Sequence, residues 1–343
     1  MTFIEDGDSN VFHKAMVYER GNGPELLTMA GTAAHVKTWV KKGNTLEGTS
    51  HWNVDFGGKF SRMRDAEVGD IYGDGKPSIA IATHDQGVVA ILRPNGDSFD
   101  VVELDNKPNT FVHEIEIGDL NGDGVLEVYA TPSEPNRLDG TPQKGTVVRY
   151  VPKTGEGQVV VADLGNRHAK EILVADIDGD GIDELYVCVE GDMGEGSKDK
   201  VEIKRYEADT PPDGGVVIGS LDDKLTRFLT AGDIDGNGKK ELVAAAYSSG
   251  LWLFRPGEDP NAPWKKELID RDSAGFEHAA ILTDLDGDGL DELYVASDKH
   301  KQVRRYVWKN GRSSREVIYK RPDNRPIFTW NLMPVPVSLI PTK

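Results

Sequence analysis

The 343-residue chain lacks several features that mark common protein classes. Its one cysteine, Cys188, cannot form a disulfide within the chain, and we expect this thiol to fill a buried strand in LYVCV. No apolar run approaches the ~18 residues that a membrane helix needs, so we expect no membrane insertion. No segment shows a long apolar stripe at the helical period of 3.6 residues. These absences argue against a disulfide scaffold, a membrane-spanning helix and a helical bundle.

Positive charge is also scarce. The chain has 40 Lys and Arg against 58 Asp and Glu, which gives a formal net charge of −18 at pH 7. Binding to a phosphate backbone requires a surplus of basic residues, so we expect no nucleic-acid partner. The first residues, MTFIEDGD, lack the apolar core of a secretory signal. A leader that had been removed would leave the same start, and the sequence therefore leaves the compartment unknown.

A nine-residue acidic loop recurs along the chain, each time before a short apolar strand. Successive copies begin 49 to 57 residues apart, and such self-similarity is typical of repeat architectures. The copies read DLNGDGVLE at 119–127, DIDGDGIDE at 176–184, DIDGNGKKE at 233–241 and DLDGDGLDE at 284–292, with degenerate forms DIYGDGKPS at 70–78 and YERGNGPE at 18–25.

Each repeat contains four short strands, which we name a, b, c and d. In residues 110–164 they are TFVHEIEIGDL, LEVYATP, GTVVRYVP and GQVVVADL, and the acidic loop joins a to b. These runs are rich in β-branched and aromatic residues and end at turn residues, as strands do. Four strands in about 50 residues, repeated radially, predict the blade of a β-propeller. We predict one all-β propeller domain over 1–343, with antiparallel blades that start near 12, 62, 111, 168, 226 and 277.

The two ends of the chain decide the predicted number of blades. TFIED at 2–6 resembles a strand d, and PIFTWNLMPV at 326–335 resembles a strand a that follows six complete repeats. Together they would form a seventh, partial blade. We therefore favour seven blades, with six as the alternative.

The intact loops share the pattern D-x-D/N-x-D/N-G-x-x-E. With this pattern the chain resembles the FG-GAP/VCBS repeats of integrin α-subunit propellers, and the resemblance covers nearly its whole length. It implies a calcium-decorated propeller whose relatives include adhesion proteins, lectins and sugar-modifying lyases or dehydratases. The pieces FVHEIEI and RHAKEILVADIDGDG are also similar to the propeller of aldos-2-ulose dehydratase. A shared fold does not by itself assign a function.

The loops are the candidate metal sites, because Ca²⁺ takes six to eight oxygen ligands. We predict about four structural Ca²⁺ ions, each bound at loop positions 1, 3, 5, 7 and 9, with position 7 supplying its carbonyl. The copy at 70–78 has Tyr72 and Ser78 at ligand positions, so we expect weak or no binding there and none at 18–25. The predicted ligands are Asp119, Asn121, Asp123, Val125, Glu127, Asp176, Asp178, Asp180, Ile182, Glu184, Asp233, Asp235, Asn237, Lys239, Glu241, Asp284, Asp286, Asp288, Leu290 and Glu292.

Blade geometry places the starts of strand a and the b–c loops on the face opposite the acidic loops, around the mouth of a central channel. Histidine and basic residues recur there. Six residues before the loops stand Arg64, His113, Lys170, Arg227 and His278, and His13 and His168 lie nearby. The b–c loops add His84, Asp85, Glu134, Glu190, Tyr247, Asp298, Lys299 and His300, and the seventh blade would add Trp330.

This face predicts a pocket for a carbohydrate or a small anionic ligand. A catalytic version would abstract a proton beside a carbonyl or carboxylate. The histidines would be the base, Arg64 or Arg227 would stabilise the enolate, and Tyr247 or a second histidine would return the proton. The catalytic candidates are His113, His168, His278, Arg64, Arg227 and Tyr247.

Three functional hypotheses follow for this face. The first is a carbon–oxygen lyase that acts on a sugar or polysaccharide. The second is a lectin-like or adhesion module that binds sugar or a protein partner, and the third is a structural interaction platform. Polar residues that line a wet channel, or histidines that bind a second metal, would give the same pattern. We favour the enzyme, because no linker or second domain is evident in the chain.

Overall fold

The computed structural model describes residues 6–9, 12–30, 34–56, 63–84, 86–131, 137–191, 200–276, 278–322 and 328–341. In these ranges the chain forms 24 β-strands, arranged in six four-stranded antiparallel sheets. The described ranges also contain two 3₁₀ turns, at Asp298–His300 and Val337–Leu339, and no α-helix. No helix in the described part of the chain is therefore long and apolar enough to cross a bilayer.

The chain divides into two compact units that hold three blades each. The first unit comprises residues 1–119, 123–166 and 333–343, and the second comprises 120–122 and 167–332. The blades of the first unit are β1 Phe12–Glu19, β2 Pro24–Ala30, β3 Ala34–Lys42 and β4 Thr45–Val54; β5 Met63–Gly69, β6 Ser78–Thr83, β7 Val88–Asn95 and β8 Ser98–Asn106; and β9 Ile115–Gly118, β10 Glu127–Ala130, β11 Thr146–Val151 and β12 Glu156–Asp163.

The second unit repeats the same plan. Its blades are β13 Ala169–Ala175, β14 Glu184–Val189, β15 Val201–Tyr206 and β16 Val216–Leu221; β17 Thr226–Gly232, β18 Glu241–Ala246, β19 Leu251–Arg255 and β20 Lys265–Asp270; and β21 Ala280–Thr283, β22 Glu292–Ser297, β23 Gln302–Lys309 and β24 Arg312–Lys320. Within each blade every strand pairs with the next one along the chain, so strands a to d follow in order.

The core lies between neighbouring blades of each unit. Strands b are buried on both faces and read as nearly continuous small and β-branched runs, such as SIAIAT in β6 and ELVAAA in β18. Cys188 is fully buried in β14, as expected. Strands d carry mostly exposed side chains, and the a strands of successive blades contact one another, β1 with β5 and β13 with β17. The inner strands thus position the residues that start each blade.

The predicted seventh blade is wrong, and the fold is a β-propeller of six four-stranded blades. Residues 2–5, 326 and 327 lie outside the described residues, and the described segment 328–341 contains no strand. Thr329 makes an isolated parallel bridge with His278, and the turn Val337–Leu339 packs on β2 and β3. Pro334 and Pro336 explain why the apolar pattern does not become a strand, because proline cannot donate to a ladder. That the six blades form one domain stays a prediction.

Candidate functional site

The acidic loops wrap around their leading aspartate. The Asp176 carboxylate accepts the backbone N–H groups of Gly179 at 2.7 Å and Gly181 at 3.1 Å. Asp233 and Asp284 accept the same pair of bonds in their own loops. Gly179 and Gly181 have φ angles of 80° and 91°, a backbone region that other residues rarely adopt. The two glycines therefore allow the tight reversal that gathers the carboxylates.

Three loops bring carboxylate oxygens within 4.8 Å of one another. Closely spaced oxygen ligands of this kind fit a hard divalent cation such as Ca²⁺. The loop at 119–127 has Asn121 where the others have aspartate, and its Asp119 accepts the N–H of Gly124 at 2.7 Å. The identity of the ion and the four carbonyl ligands stay predictions. The clusters are Asp176, Asp178, Asp180 and Glu184; Asp233, Asp235 and Glu241; and Asp284, Asp286 and Glu292.

The last carboxylate of each intact loop is also bound by protein groups that the sequence prediction missed. Glu184 is buried and accepts hydrogen bonds from the Tyr186 hydroxyl at 2.8 Å and from Arg205 Nη2 at 2.9 Å. Burial raises the pKa of Glu184 to about 7, with Tyr186 and Arg205 opposing the rise. The sequence feature that could have revealed these contacts is an arginine that recurs in strand c, as in VVRYV and EIKRY.

Four of the predicted histidine and basic positions coincide with β-bulges at the start of strand a. The register of β5 shifts between Met63 and Asp65, which leaves Arg64 as the extra residue. Lys170 in β13 and Arg227 in β17 occupy the same place, as does His13 in β1. A bulge turns one side chain away from the regular alternation and is frequent next to binding sites. Counting residues back from the acidic loops located these positions, but the sequence did not show that they are β-bulges.

In the first unit the predicted residues form two separate sets of contacts. Arg64 Nη1 lies 3.4 Å from Nδ1 of His13. His113 is buried, its Nδ1 lies 3.4 Å from the Glu114 carboxylate, and its ring packs 5.7 Å from that of His84. Two further predicted positions, Asp85 and Glu134, lie outside the described residues.

In the second unit a buried glutamate links two predicted catalytic residues. Nε2 of His168 lies 2.9 Å from Glu190, and Nε of Arg227 lies 3.6 Å from the same carboxylate. The Arg227 guanidinium also stacks over the Phe276 ring at 4.3 Å. Glu190 therefore lies between His168 and Arg227, and Arg227 in turn contacts an exposed aromatic side chain.

His278 occupies a different environment. It is fully buried, with Nε2 at 2.7 Å from the Ser273 hydroxyl and Nδ1 at 3.1 Å from the Ala246 carbonyl. Burial lowers the pKa of His278 to about 4. Both ring nitrogens are thus engaged inside the protein, and this geometry suits a structural residue better than the general base that we predicted.

A pocket of about 470 Å³ lies next to Arg227 in the second unit. Tyr247, Phe276 and Phe328 line it and are 40%, 40% and 49% exposed. Their rings form a row, with centroids 6.3 Å apart for Tyr247 and Phe276 and 6.1 Å for Phe276 and Phe328, and the row continues to Trp330. The sequence prediction found Tyr247 and Trp330 but missed both phenylalanines, since exposure is not visible in AGFEH or PIFTW.

Charged side chains complete the pocket. Lys299, Lys301 and Arg321 contribute three positive groups to its lining. Among the lining residues that the structure describes, the single carboxylate is Asp298, which accepts the N–H and the hydroxyl of Thr329 at 2.9 Å each. The described lining therefore combines exposed aromatic faces with a surplus of positive charge, in a chain whose net charge is −18.

Two solved structures with TM-scores above 0.5 agree with the fold. A structure from Lactobacillus plantarum is 11% identical, with a TM-score of 0.58 over 91% of this chain and 86% of that one. An Agrocybe aegerita lectin, described as recognising non-reducing terminal N-acetylglucosamine, is 16% identical, with a TM-score of 0.53 over 90% of this chain and 80% of its own. A nidogen/laminin complex chain is 13% identical, with a TM-score of 0.48 over 85% and 92%. No curated protein matched in sequence.

The repeat itself is also identified by sequence. Residues 70–130 match the model of the FG-GAP-like repeat, a segment that begins at the degenerate loop of the second blade and ends with strand b of the third. The chain is therefore a six-bladed β-propeller that contains an FG-GAP-like repeat.

Proposed function

We propose that this protein binds a carbohydrate in the pocket lined by Tyr247, Phe276 and Phe328, and that its acidic loops hold structural Ca²⁺. The row of three exposed aromatic rings in one pocket is the observation that carries the proposal. Exposed aromatic groups that converge on one concave site usually mark a binding site. The C–H groups on the flat face of a sugar ring can pack on the electron-rich face of an aromatic ring.

The charged lining favours an acidic saccharide over a neutral one. Lys299, Lys301 and Arg321 can donate charge-assisted hydrogen bonds to a carboxylate or sulfate on the sugar. The Agrocybe aegerita lectin has the same fold and recognises a sugar, but at 16% identity that likeness assigns no ligand here. The support for an acidic sugar comes from the residues of the pocket.

A sugar lyase or dehydratase that uses the same pocket is the second candidate. One observation favours it: Tyr247 lines the pocket, Arg227 contacts the lining residue Phe276, and Glu190 joins Arg227 to His168. In that reaction a positively charged side chain of the pocket would bind the sugar carboxylate. Tyr247 or His168 would transfer the proton that is abstracted beside that carboxylate. His113 and Arg64 belong to the first unit, and their catalytic role stays a prediction.

Glycan binding tests the proposal directly. Acidic and neutral oligosaccharides would be screened on an array, and the best ligand titrated by calorimetry. We expect Phe276→Ala to weaken binding at least tenfold, since truncation of a central aromatic residue commonly has this effect. Ile318→Ala, which removes an exposed apolar side chain on β24, is the matched control and should bind as the wild type does.

The other outcomes separate the two candidates. Release of an unsaturated sugar, followed by its ultraviolet absorbance, would establish the lyase. Binding without product would leave a lectin-like protein. If the wild type binds no saccharide, or if Phe276→Ala binds as tightly as wild type, the carbohydrate site is wrong.

A further inference from the structure

An arginine from strand c reaches into the acidic loop of its own blade in five of the six blades. In the fourth blade, Arg205 Nη2 lies 2.8 Å from Asp178 and 2.9 Å from Glu184, the third and ninth residues of the loop. The same two positions are bound in the next two blades. The five arginines are Arg93, Arg149, Arg205, Arg255 and Arg305.

Arg255 and Arg305 repeat the contact closely. Arg255 Nη1 lies 3.0 Å from Asp235 and also bonds Glu241. Arg305 Nη2 bonds both Asp286 and Glu292. Three loops therefore place one guanidinium between the same two carboxylates, although Arg255 stands two residues later in the register of its strand than Arg205.

In the second and third blades, where the loop lacks one or both of these carboxylates, the strand-c arginine pairs with a different carboxylate. At 119–127 the third position is the uncharged Asn121, and Arg149 pairs with Glu127 and with Glu156 on β12, each at 3.0 Å. At 70–78 the ninth position is Ser78, and Arg93 pairs with Asp74 of the loop at 2.7 Å. Wherever the loop loses a carboxylate, the arginine pairs with another one.

The contact meets a physical need of the loops. Glu184 and Arg205 are each 2% exposed, and a buried carboxylate is costly unless it is paired. A guanidinium is always charged and its planar fork suits two carboxylates at once. It also binds oxygens that a calcium ion would need, and two cations a few ångströms apart repel each other.

We propose that these arginines are built-in cations that compete with Ca²⁺ for the third and ninth positions of the loops. The arginine closes the loop when no ion is bound, and it must withdraw before Glu184, Glu241 or Glu292 can bind calcium. The loops then have lower calcium affinity than their ligand pattern suggests and remain ordered without the ion. The inference rests on the calcium part of the proposed function and is independent of the pocket.

Calcium titration of arginine variants tests the competition. Arg255→Gln and Arg305→Gln are suitable, because both side chains are partly exposed, at 21% and 23%, and glutamine keeps the aliphatic stem. Each variant would be titrated with CaCl₂ alone by calorimetry at constant ionic strength. We expect one site to bind about tenfold tighter or more in each variant, because Ca²⁺ no longer displaces a cation.

Arg312→Gln is the control, because it removes one exposed positive charge on β24 and should leave calcium affinity unchanged. Circular dichroism would verify that each variant is folded. Unchanged or weaker calcium binding in both Arg255→Gln and Arg305→Gln overturns the competition. Saccharide binding measured on the same variants reports on the pocket separately. Absence of calcium binding in wild type and variants alike would overturn both this inference and the calcium part of the proposed function.

Discussion

Single residues on the predicted face differ mainly in how deeply they are buried. Tyr247 is 40% exposed and lines the pocket, whereas His278 is fully buried and bonded at both ring nitrogens. His278 was found by counting back from its acidic loop, and Tyr247 by its place in a b–c loop. Counting gives a residue's place along a strand, but burial depends on the neighbouring blade, which the local sequence does not contain.

The buried His278 predicts a loss of stability in acid. Its pKa falls to about 4 in the folded protein from an ordinary value of 6.5, mainly through burial, with Arg304 and His300 adding to the effect and Asp270 opposing it. Below pH 6.5 the unfolded chain takes up the proton first, so the stabilisation is complete above 6.5 and is lost as the pH falls to about 4. A difference of about 2.5 pH units corresponds to roughly 3 kcal/mol.

Urea unfolding at pH 8, 6 and 4 measures this effect. We expect His278→Asn to be less stable than wild type at pH 8 and to lose less stability on acidification, because its side chain does not titrate. If the two proteins lose the same free energy of unfolding between pH 8 and 4, His278 does not cause the acid sensitivity.

At the scale of the element, much of a blade can be predicted from the sequence. The acidic loop fixes the a–b turn, and the apolar run after it predicts strand b, as for ELYVCV of β14. The bulge at Arg64 and the contact of Arg205 with Glu184 could not be predicted, because both depend on the register between strands. The sequence also predicted only part of the pocket, because Phe276 and Phe328 are far apart in sequence and meet only in the folded unit.

Packing of strand d against the next blade gives a prediction about one glycine. In β16, a methyl group on Gly219 would lie 2.3 Å from Cε1 of Phe254 on β19, so alanine would force the ring or the strand to move. We expect Gly219→Ala to lower the free energy of unfolding by about 1–3 kcal/mol. Gly157→Ala is the matched control, because Gly157 also lies in a strand d and has no atom within 4 Å of the added methyl.

Denaturant unfolding of the two variants compares the crowded position with the open one. Gly157→Ala should stay within about 0.5 kcal/mol of wild type, as is usual for an uncrowded surface site. Equal stabilities for the two alanine variants would contradict the close packing of β16 on the ring of Phe254.

At the scale of the whole molecule, the acidic loops concentrate charge in a chain that already carries −18. Each strand-c arginine neutralises one charge in its loop, while a calcium ion would neutralise two. Bound calcium should therefore stabilise the protein both by site binding and by reducing repulsion among carboxylates. If the strand-c arginines pair with the loop carboxylates when no ion is bound, as proposed above, we expect the loops to fold without calcium.

Calcium is therefore expected to raise the melting temperature without being required for folding. A ligand that binds only the folded state, at about 100 times its Kd, adds about 2.7 kcal/mol per site to the free energy of unfolding. Millimolar CaCl₂ should therefore raise the melting temperature by several degrees over EDTA.

NaCl at the same ionic strength is the control that separates charge screening from site binding, and it should give a smaller shift in melting temperature. Replacement of Asp176 and Asp284 by asparagine should reduce the calcium-dependent part, because each change removes the negative charge and one of the two carboxylate oxygens at the residue around which a loop folds. Equal melting temperatures in CaCl₂ and EDTA would show that the loops hold no stabilising calcium ion.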